Sequence, residues 1–207
     1  MTIVTEKAIG WTESGLVPDS VIRSGIRRLL ERKIAEIRAD DPEVAAITLN
    51  EFVQVMRSSP VALVPELANE QHYEVPAEFF DEVLGKYRKY SCGCWPEGVT
   101  TLDESERVAL EATVERAGIE DGMRILDLGC GWGSVSLYVA ERFPGASVLS
   151  VSNSRTQGDY IRARAAERGL ENIEVLTADM NDFDIDRRFD RIVSVEMFEH
   201  MRNYEEL

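Results

Sequence analysis

The sequence is poor in the residues that build metal clusters and disulfide frameworks. Its 207 residues include three cysteines and two histidines. The cysteine count is odd, and Cys92 and Cys94 form a C-x-C pair that has no second cysteine or histidine pair nearby. This set predicts neither a disulfide framework nor a metal site, so we interpret all three cysteines, Cys130 included, as free thiols in a reducing compartment.

Long apolar runs and net positive charge are also missing. No stretch approaches the roughly 18 apolar residues that a membrane-spanning helix needs, and no N-terminal segment has the pattern of a signal peptide. The chain has 38 acidic and 23 basic residues, which gives a net charge of −15. Such a charge repels phosphate backbones and anionic membranes. We therefore expect a cytoplasmic protein that binds no nucleic acid and is not an integral membrane protein.

The first 70 residues favour helices and form a helical N-terminal extension. Apolar residues recur at helical spacing from Pro18 to about Asp40, and Asp41-Pro42 is typical of an N-cap followed by the first residue of a second helix. Residues 1–17 show little periodicity, and we expect them to be loose.

Residues 71–120 are predicted to form an aromatic-rich cap and a lead-in helix. A short helix is expected after Pro76. The segment from Thr101 to Gly118 has apolar residues among charged ones and ends in a glycine that suits a helix C-terminus.

From residue 121 onward, short apolar segments alternate with helical ones. Strands are predicted at four places: residues 124–129, 147–152, 173–178 and 189–195. Strands that alternate with helices favour right-handed crossovers and a parallel, doubly wound sheet. The predicted fold class is therefore α/β and Rossmann-like, with about four parallel strands in residues 121–207.

The segment DLGCGWG, residues 127–133, joins the first strand to its helix. The backbone amides of such a turn approach nucleotide-type ligands. Ser152 and Asn153 stand where a NAD site usually has an acid. Asp127 would repel a pyrophosphate and attract the ammonium group of S-adenosylmethionine. The pattern favours S-adenosylmethionine, with a dinucleotide or a turn without ligand as the alternatives.

Several segments carry a resemblance to a known family. They are SGLVPDSVIRSGIRRLLERK, HYEVPAEFF, KYSCGCW, TTLDESE, ILDLGCGWGS, VSNSRTQ, LTADM and FDRIVSVEMFEHMRNYEEL. Through these segments the chain resembles the coclaurine N-methyltransferase branch of the cyclopropane fatty-acid and mycolic-acid cyclopropane synthase superfamily. The resemblance implies a class I methyltransferase fold that binds S-adenosylmethionine and releases S-adenosylhomocysteine.

The resemblance also implies which residues contact the cofactor. Tyr90 and Ser91 would hold the methionine carboxylate above the turn of Gly129 and Gly131. Ser152 and Gln157 would bind the ribose, while Asp179 and Met180 would contact adenine. Small polar side chains can hydrogen-bond ribose hydroxyls without a full charge, and a methionine can pack on the ring face.

Glu196, Glu199 and His200 follow the fourth strand, at the edge where parallel sheets place their ligands. An amine must lose a proton before it can accept a methyl group, and a carboxylate or a histidine can take that proton. In a helix their spacing would place all three on one side. The E-x-x-E-H pattern resembles that of the alkaloid N-methyltransferases, so we assign the three as catalytic, with helix capping as the alternative.

The cyclopropane synthase branch keeps a second interpretation open. There the equivalents of Cys92 and Glu199 help to hold a bicarbonate ion, which would then be a cofactor here. His72, Tyr73 and Cys92 are candidates for the acceptor pocket, although the first two are equally typical of core packing. Glu196 and the extension favour methylation of a small-molecule amine. The alternatives are methyl transfer to a lipid alkene and a non-catalytic binding module.

Four strands make only part of the seven-stranded sheet that the resemblance implies. We therefore expect the chain to be the N-terminal part of a longer enzyme that has little activity alone. An open strand edge also favours self-association, for example as a homodimer. Wild-type turnover by the 207-residue chain would contradict this expectation.

Overall fold

The computed structural model describes residues 3–37, 40–63 and 76–207. They belong to two compact units, Met1–Met56 and Arg57–Leu207. His72 and Tyr73, like the predicted boundary after residue 70, lie outside the described residues. No helix of the described segments is long and apolar enough to cross a membrane.

The N-terminal part of the chain is helical, as predicted. It contains α1 (Ile3–Glu13), α2 (Asp19–Ile37) and α3 (Pro42–Arg57). The Oδ1 atom of Asp41 accepts hydrogen bonds from the backbone amides of Glu43 and Val44, which confirms the predicted N-cap of α3. Neither α2 nor α3 has a buried side chain.

The prediction that residues 1–17 are loose was wrong. Most of this segment forms α1, and the hydroxyls of Thr12 and Ser14 each donate to a backbone carbonyl four residues earlier. The segment contains glutamate, lysine and alanine, which favour helix formation. Apolar periodicity reports the burial of one face, so an exposed helix can form without that signal.

The second unit contains the sheet and its helices. Its elements are α4 (Ala77–Val83), α5 (Leu102–Ala117), β1 (Arg124–Leu128), α6 (Ser134–Arg142), β2 (Ser147–Ser152), α7 (Arg155–Arg168), β3 (Ile173–Thr177), β4 (Arg191–Val193) and a 3₁₀ turn at Phe198–His200. The predicted strands and helices are confirmed, although β4 is shorter than predicted. A capping box between Thr101 and Glu104 begins α5, and Gly118 ends it in a left-handed conformation.

The four strands are parallel and lie in the order β3-β2-β1-β4. The order reverses between β1 and β4, because β2 lies on one side of β1 and β4 on the other. In open parallel sheets, ligands bind at the carboxyl ends of the strands beside such a reversal. The sheet therefore confirms the predicted α/β class and places a ligand crevice next to the ends of β1 and β4.

Successive strand residues pack on opposite faces of the sheet. Ile125 and Val148 belong to a buried cluster with Val139 of α6. The following residues, Leu126 and Leu149, belong to a second cluster that includes Met197. The core thus fixes the strand ends from both sides, and the residues that follow those ends form the site described next.

Candidate functional site

A cavity of about 230 Å³ opens at the carboxyl ends of the strands. Its walls come from the segments that follow β1, β2, β3 and β4, together with Ala62 and Leu63. Eight of the predicted site residues line it: Gly129, Gly131, Ser152, Gln157, Asp179, Met180, Glu196 and His200. Predicted site residues that are up to 71 positions apart in the sequence therefore meet in one cavity.

The turn after β1 depends on glycine. Gly129 and Gly131 have φ values of +81° and +53°, which only glycine adopts without steric cost. The backbone amides of Gly129 and Cys130 donate to the carbonyl oxygen of Val151 at 3.0 and 2.9 Å. The turn is therefore fixed against the end of β2.

Gly129 also permits a close approach of the segment that follows β4. A Cβ atom at Gly129 would lie 2.7 Å from the Cβ atom of Met197, whereas one at Gly131 would meet nothing within 4 Å. Met197 is buried and directly follows Glu196. The first glycine therefore brings the glycine turn into contact with the segment that carries the candidate base.

Two buried polar residues, one at the end of β2 and one in the first turn of α7, form a hydrogen-bonded pair. The Ser152 hydroxyl donates to Oε1 of Gln157 at 2.7 Å, and its oxygen accepts the backbone amide of Ser154 at 3.0 Å. The Ser154 hydroxyl in turn caps α7 by accepting the Gln157 backbone amide. Nε2 of Gln157 is buried with no hydrogen-bond partner among the described residues. This spare donor fits an acceptor on a ligand, such as a ribose hydroxyl oxygen.

The segment after β3 connects the cavity to residues 57–63. Oδ1 of Asp179 accepts the backbone amide of Asn181 at 2.8 Å. The side-chain amide of Asn181 accepts from the Ala62 backbone N–H at 2.9 Å and donates to the Ala62 carbonyl at 3.0 Å. Ala62 is thereby held at the cavity wall.

Residues 57–63 also contact the end of the chain. The Arg202 amide donates to the Val61 carbonyl at 2.7 Å, and the Asn203 side chain donates to the carbonyls of Arg57 and Ser59 at 3.1 and 3.0 Å. Sequence reasoning missed the contribution of this segment, since no local motif marks a contact between residues more than 100 positions apart.

The three candidate catalytic residues are arranged differently from the helical expectation. Glu196 has a φ of +59°, and the only helical turn that follows in residues 196–207 is the short 3₁₀ turn Phe198–His200. Glu196 and His200 line the cavity, while Glu199 is not among the lining residues. All three side chains are exposed. The left-handed residue interrupts the helix, so the spacing i, i+3, i+4 does not place all three on one side.

Tyr90, Ser91 and Cys92 follow α4 and do not belong to the cavity lining. The Tyr90 ring lies 5.2 Å from the ring of the buried Phe80, measured between centroids. The Ser91 oxygen accepts a hydrogen bond from the ammonium group of Lys89, and Cys92 is exposed. Burial lowers the pKa of Lys89, and the nearby charge of Glu196 opposes that lowering. The segment of Lys89 to Cys92 therefore lies near the candidate base.

Asp127 lies within the sheet, two residues before the glycine turn begins. Its side chain is 2% exposed, and Oδ2 accepts a hydrogen bond from the Ser136 hydroxyl at 2.5 Å. The Ser136 oxygen accepts from the Ser150 hydroxyl at 2.6 Å. Burial raises the pKa of Asp127 to about 6, although its hydrogen bonds with Ser136 lower it. Asp127 is not among the cavity-lining residues.

The parallel strand order, the glycine turn and the pocket beside the reversal point define a class I methyltransferase fold. The chain belongs to the mycolic acid cyclopropane synthetase family, whose sequence profile matches residues 65–206. The predicted resemblance is thereby confirmed.

Relatives from both branches of the superfamily are similar to the chain. (S)-Coclaurine N-methyltransferase of Thalictrum flavum subsp. glaucum is 40% identical over 193 residues, which cover 93% of this chain and 54% of the relative. Cyclopropane-fatty-acyl-phospholipid synthase of Escherichia coli K12 is 33% identical over 141 residues, which cover 67% of this chain and 35% of the relative. The chain thus spans about half the length, or less, of these curated relatives.

Solved structures give the same grouping. A crystal structure of coclaurine N-methyltransferase, bound to N-methylheliamine and S-adenosylhomocysteine, has a TM-score of 0.87 at 37% identity and covers 98% of this chain and 58% of its own. A mycolic acid cyclopropane synthase complexed with S-adenosylhomocysteine has a TM-score of 0.59 at 30% identity and covers 66% of this chain and 47% of its own.

Proposed function

We propose that the chain is the cofactor-binding and base-bearing part of an S-adenosylmethionine-dependent N-methyltransferase that acts on a small-molecule amine. One observation carries this proposal. The buried Ser152–Gln157 pair and the polar side chains of Glu196 and His200 line one cavity on either side of a single glycine turn. The similarity to N-methyltransferases over 93% of the chain supports an amine as the acceptor.

In this proposal the residues around the glycine turn would hold the cofactor. Gln157 and Ser152 bind the ribose, the former through its spare Nε2 donor. The remaining contacts are those expected from the resemblance: Tyr90 and Ser91 at the methionine carboxylate, Gly129 and Gly131 beneath it, and Asp179 and Met180 at adenine. Asp127 is buried, so its carboxyl group would act on the cofactor ammonium through its charge and the position of the turn.

The acid and histidine side chains prepare the acceptor. When bound, S-adenosylmethionine would supply an electrophilic methyl group: an amine lone pair would form the new N–C bond as the S–C bond breaks, with S-adenosylhomocysteine as the leaving group. Glu196 and His200 line the cavity and would take the proton that blocks this lone pair in the ammonium form. Glu199 adds negative charge beside His200. Holding the amine in line with the methyl group is the other contribution that the cavity walls make.

The cofactor assignment can be tested by calorimetric titration of the purified chain with S-adenosylhomocysteine and, separately, with NAD. We expect saturable one-to-one binding of S-adenosylhomocysteine and no heat with NAD. Binding of NAD, or no binding of S-adenosylhomocysteine by a chain with a folded far-UV spectrum, would contradict the assignment.

The acceptor can be tested by the transfer of a labelled methyl group from S-adenosylmethionine. Secondary amines and vesicles of monounsaturated phospholipid are compared as acceptors, each with and without bicarbonate. We expect slow methylation of amines that does not depend on bicarbonate. Bicarbonate-dependent labelling of the lipid would favour the cyclopropane synthase alternative, in which Cys92 and Glu199 hold the ion.

We also propose self-association along the edge of β4. Within the described residues β4 pairs only with β1, and its central residue Ile192 is 64% exposed. Exposed strand edges with apolar side chains pair readily with a second chain. Sedimentation velocity should show a dimer for the wild type and a monomer for Ile192→Lys, whereas a wild-type monomer at high concentration would contradict this proposal.

A further inference from the structure

Lys89 is a buried cation that no sequence motif marked. Its side chain is 6% exposed, and its ammonium group donates to the Ser91 hydroxyl oxygen and, at 2.9 Å, to the Cys92 carbonyl oxygen. Lysine is almost never buried to this extent unless its charge is used or neutralised. Two of its three N–H donors are accounted for by these contacts.

The backbone around Lys89 is held in place by a buried carboxylate. Glu106 of α5 is 1% exposed and accepts hydrogen bonds from the amides of Gly85, Tyr87 and Lys89 at 2.9, 2.9 and 3.3 Å. The segment is therefore fixed to α5 through three backbone donors. The position of the lysine side chain follows from this anchoring.

Lys89 has no ion-pair partner in the part of the chain that the structure describes. Among the described residues, no carboxylate forms an ion pair with Lys89 within 4.0 Å. The charges of Glu196 and Glu106 act on it only from a distance, and burial is the larger influence on its pKa, which it lowers. A buried ammonium group therefore lies in direct contact with the Ser91 hydroxyl, while the carboxylates act on it from a longer range.

The hydrogen bond from Lys89 also determines how Ser91 can bind a ligand. A serine hydroxyl has one donor and two acceptor positions. Because Lys89 occupies an acceptor position, the hydroxyl hydrogen of Ser91 remains to donate. A donor backed by a cation fits a carboxylate, since hydrogen bonds with charged partners are stronger than neutral ones.

We propose that Lys89 is a positioning residue that orients the Ser91 hydroxyl and supplies the positive charge for the carboxylate of the cofactor's methionine portion. This inference rests on the proposed function, in which Ser91 binds that carboxylate. It adds a cationic contribution to a cofactor site whose other proposed contacts are neutral or acidic side chains and backbone.

The test compares two ligands that differ at the carboxylate. S-Adenosylhomocysteine has the amino-acid portion, while 5′-methylthioadenosine keeps the adenosine and the thioether and lacks it. In Lys89→Met we expect the Kd of S-adenosylhomocysteine to rise about 10-fold or more, and the Kd of methylthioadenosine to change less than about 2-fold. Lys86→Met is the matched control, because Lys86 is an exposed lysine on the same segment; it should change neither Kd.

A second variant tests the route through Ser91 and covers a failure of Lys89→Met to fold. Ser91→Ala should show the same selective loss of S-adenosylhomocysteine. Adding it to Lys89→Met should cost less than the sum of the single effects, because contacting residues in one network are not additive.

Two results would overturn the inference: equal loss of both ligands, or unchanged binding of S-adenosylhomocysteine. Failure of the proposed function would look different, since the wild type itself would then bind neither ligand.

Discussion

The two walls of the cavity are built in opposite ways. The cofactor wall, formed by Gly129–Gly133 and Ser152–Gln157, has buried polar side chains in a closed hydrogen-bond network, with one spare donor at Gln157. The acid wall, formed by Glu196–Met201, has exposed polar side chains beside the buried Met197 and the half-buried Met201.

This difference matches two different tasks. In the proposed function the cofactor is recognised by groups that are fixed before it binds, which reduces the entropy lost on binding. The proposed base must reach a proton on the acceptor, and its exposed position suits that role. The packing of Met197 at Gly129 fixes the position of the acid wall relative to the glycine turn.

The largest expected effect is on turnover, in a variant of the acid wall that leaves cofactor binding intact. Glu196→Gln removes the proposed base and keeps its size, so amine methylation should fall about 100-fold or more. Binding of S-adenosylhomocysteine should stay within about 2-fold, because the cofactor wall is unchanged. Methyl transfer and calorimetry measured side by side test this prediction; unchanged turnover would exclude Glu196 as the base.

A pair of glycine variants tests the contact between the walls. In Gly129→Ala the new methyl group meets Met197 and the residue keeps a positive φ, so we expect a loss of about 2–4 kcal/mol in unfolding free energy. Gly131→Ala has the same backbone strain without the contact, so about 1–2 kcal/mol is expected. Urea unfolding measures both, and equal losses would show that the Met197 contact is unimportant.

Asp127 should make the stability of the fold depend on pH. Its pKa of about 6 in the folded protein lies above the ordinary value of 3.8, so the folded state binds the proton more tightly. Its contribution to stability is therefore present below pH 3.8 and is lost as the pH rises through about 6. The loss amounts to at most about 3 kcal/mol at neutral pH.

Asp127→Asn keeps an acceptor for Ser136 and removes the charge, so this decline should disappear. Urea unfolding at pH 5 and pH 7 measures the fall in unfolding free energy between the two pH values. Asp184→Asn, at an exposed position, is the control and should show the same fall as the wild type. A variant that loses stability with pH as steeply as the wild type would contradict the assignment to Asp127.

The smallest expected effect lies within the cofactor wall. Ser152→Ala removes the hydroxyl that holds Gln157, and we expect S-adenosylhomocysteine binding to weaken by about 1 kcal/mol, or roughly 5-fold. Amine turnover at saturating cofactor should remain near the wild-type value. A change in turnover without a change in affinity would place Ser152 with the acid wall instead.

The fold could be predicted where the residues that begin and end an element are recognisable in the local sequence. The helix at residues 155–168 begins after the cap Ser154 and ends at the left-handed Gly169, and both signals are present in the sequence itself. The predicted fourth strand was two residues too long at each end. At its start the Asp190 carboxylate accepts hydrogen bonds from the backbone amide and the guanidinium group of Arg124, and the Asp190 amide donates to the Arg124 carbonyl. Only three residue pairs join β4 to β1.

The site could be predicted only where its residues follow strands. Ser152 is the last residue of β2 and Glu196 follows β4, and the topology brings these strand ends to one edge. No short sequence pattern predicts that Ala62 and Leu63 line the cavity. Their position depends on long-range contacts such as the two hydrogen bonds between the Asn181 side chain and the Ala62 backbone. Glu196 has a left-handed conformation, and the next residue, Met197, packs at Gly129. The helix that the local spacing predicted at Glu196 is therefore absent.

Hydrogen exchange of the unmodified chain with and without S-adenosylhomocysteine tests the contrast between the walls most directly. We predict slower exchange of the amides in residues 129–133 and 179–182 when the ligand is bound, and no change in residues 198–201. Protection confined to residues 198–201, or no protection anywhere at a saturating ligand concentration, would contradict the assignment of a cofactor wall and a separate acid wall.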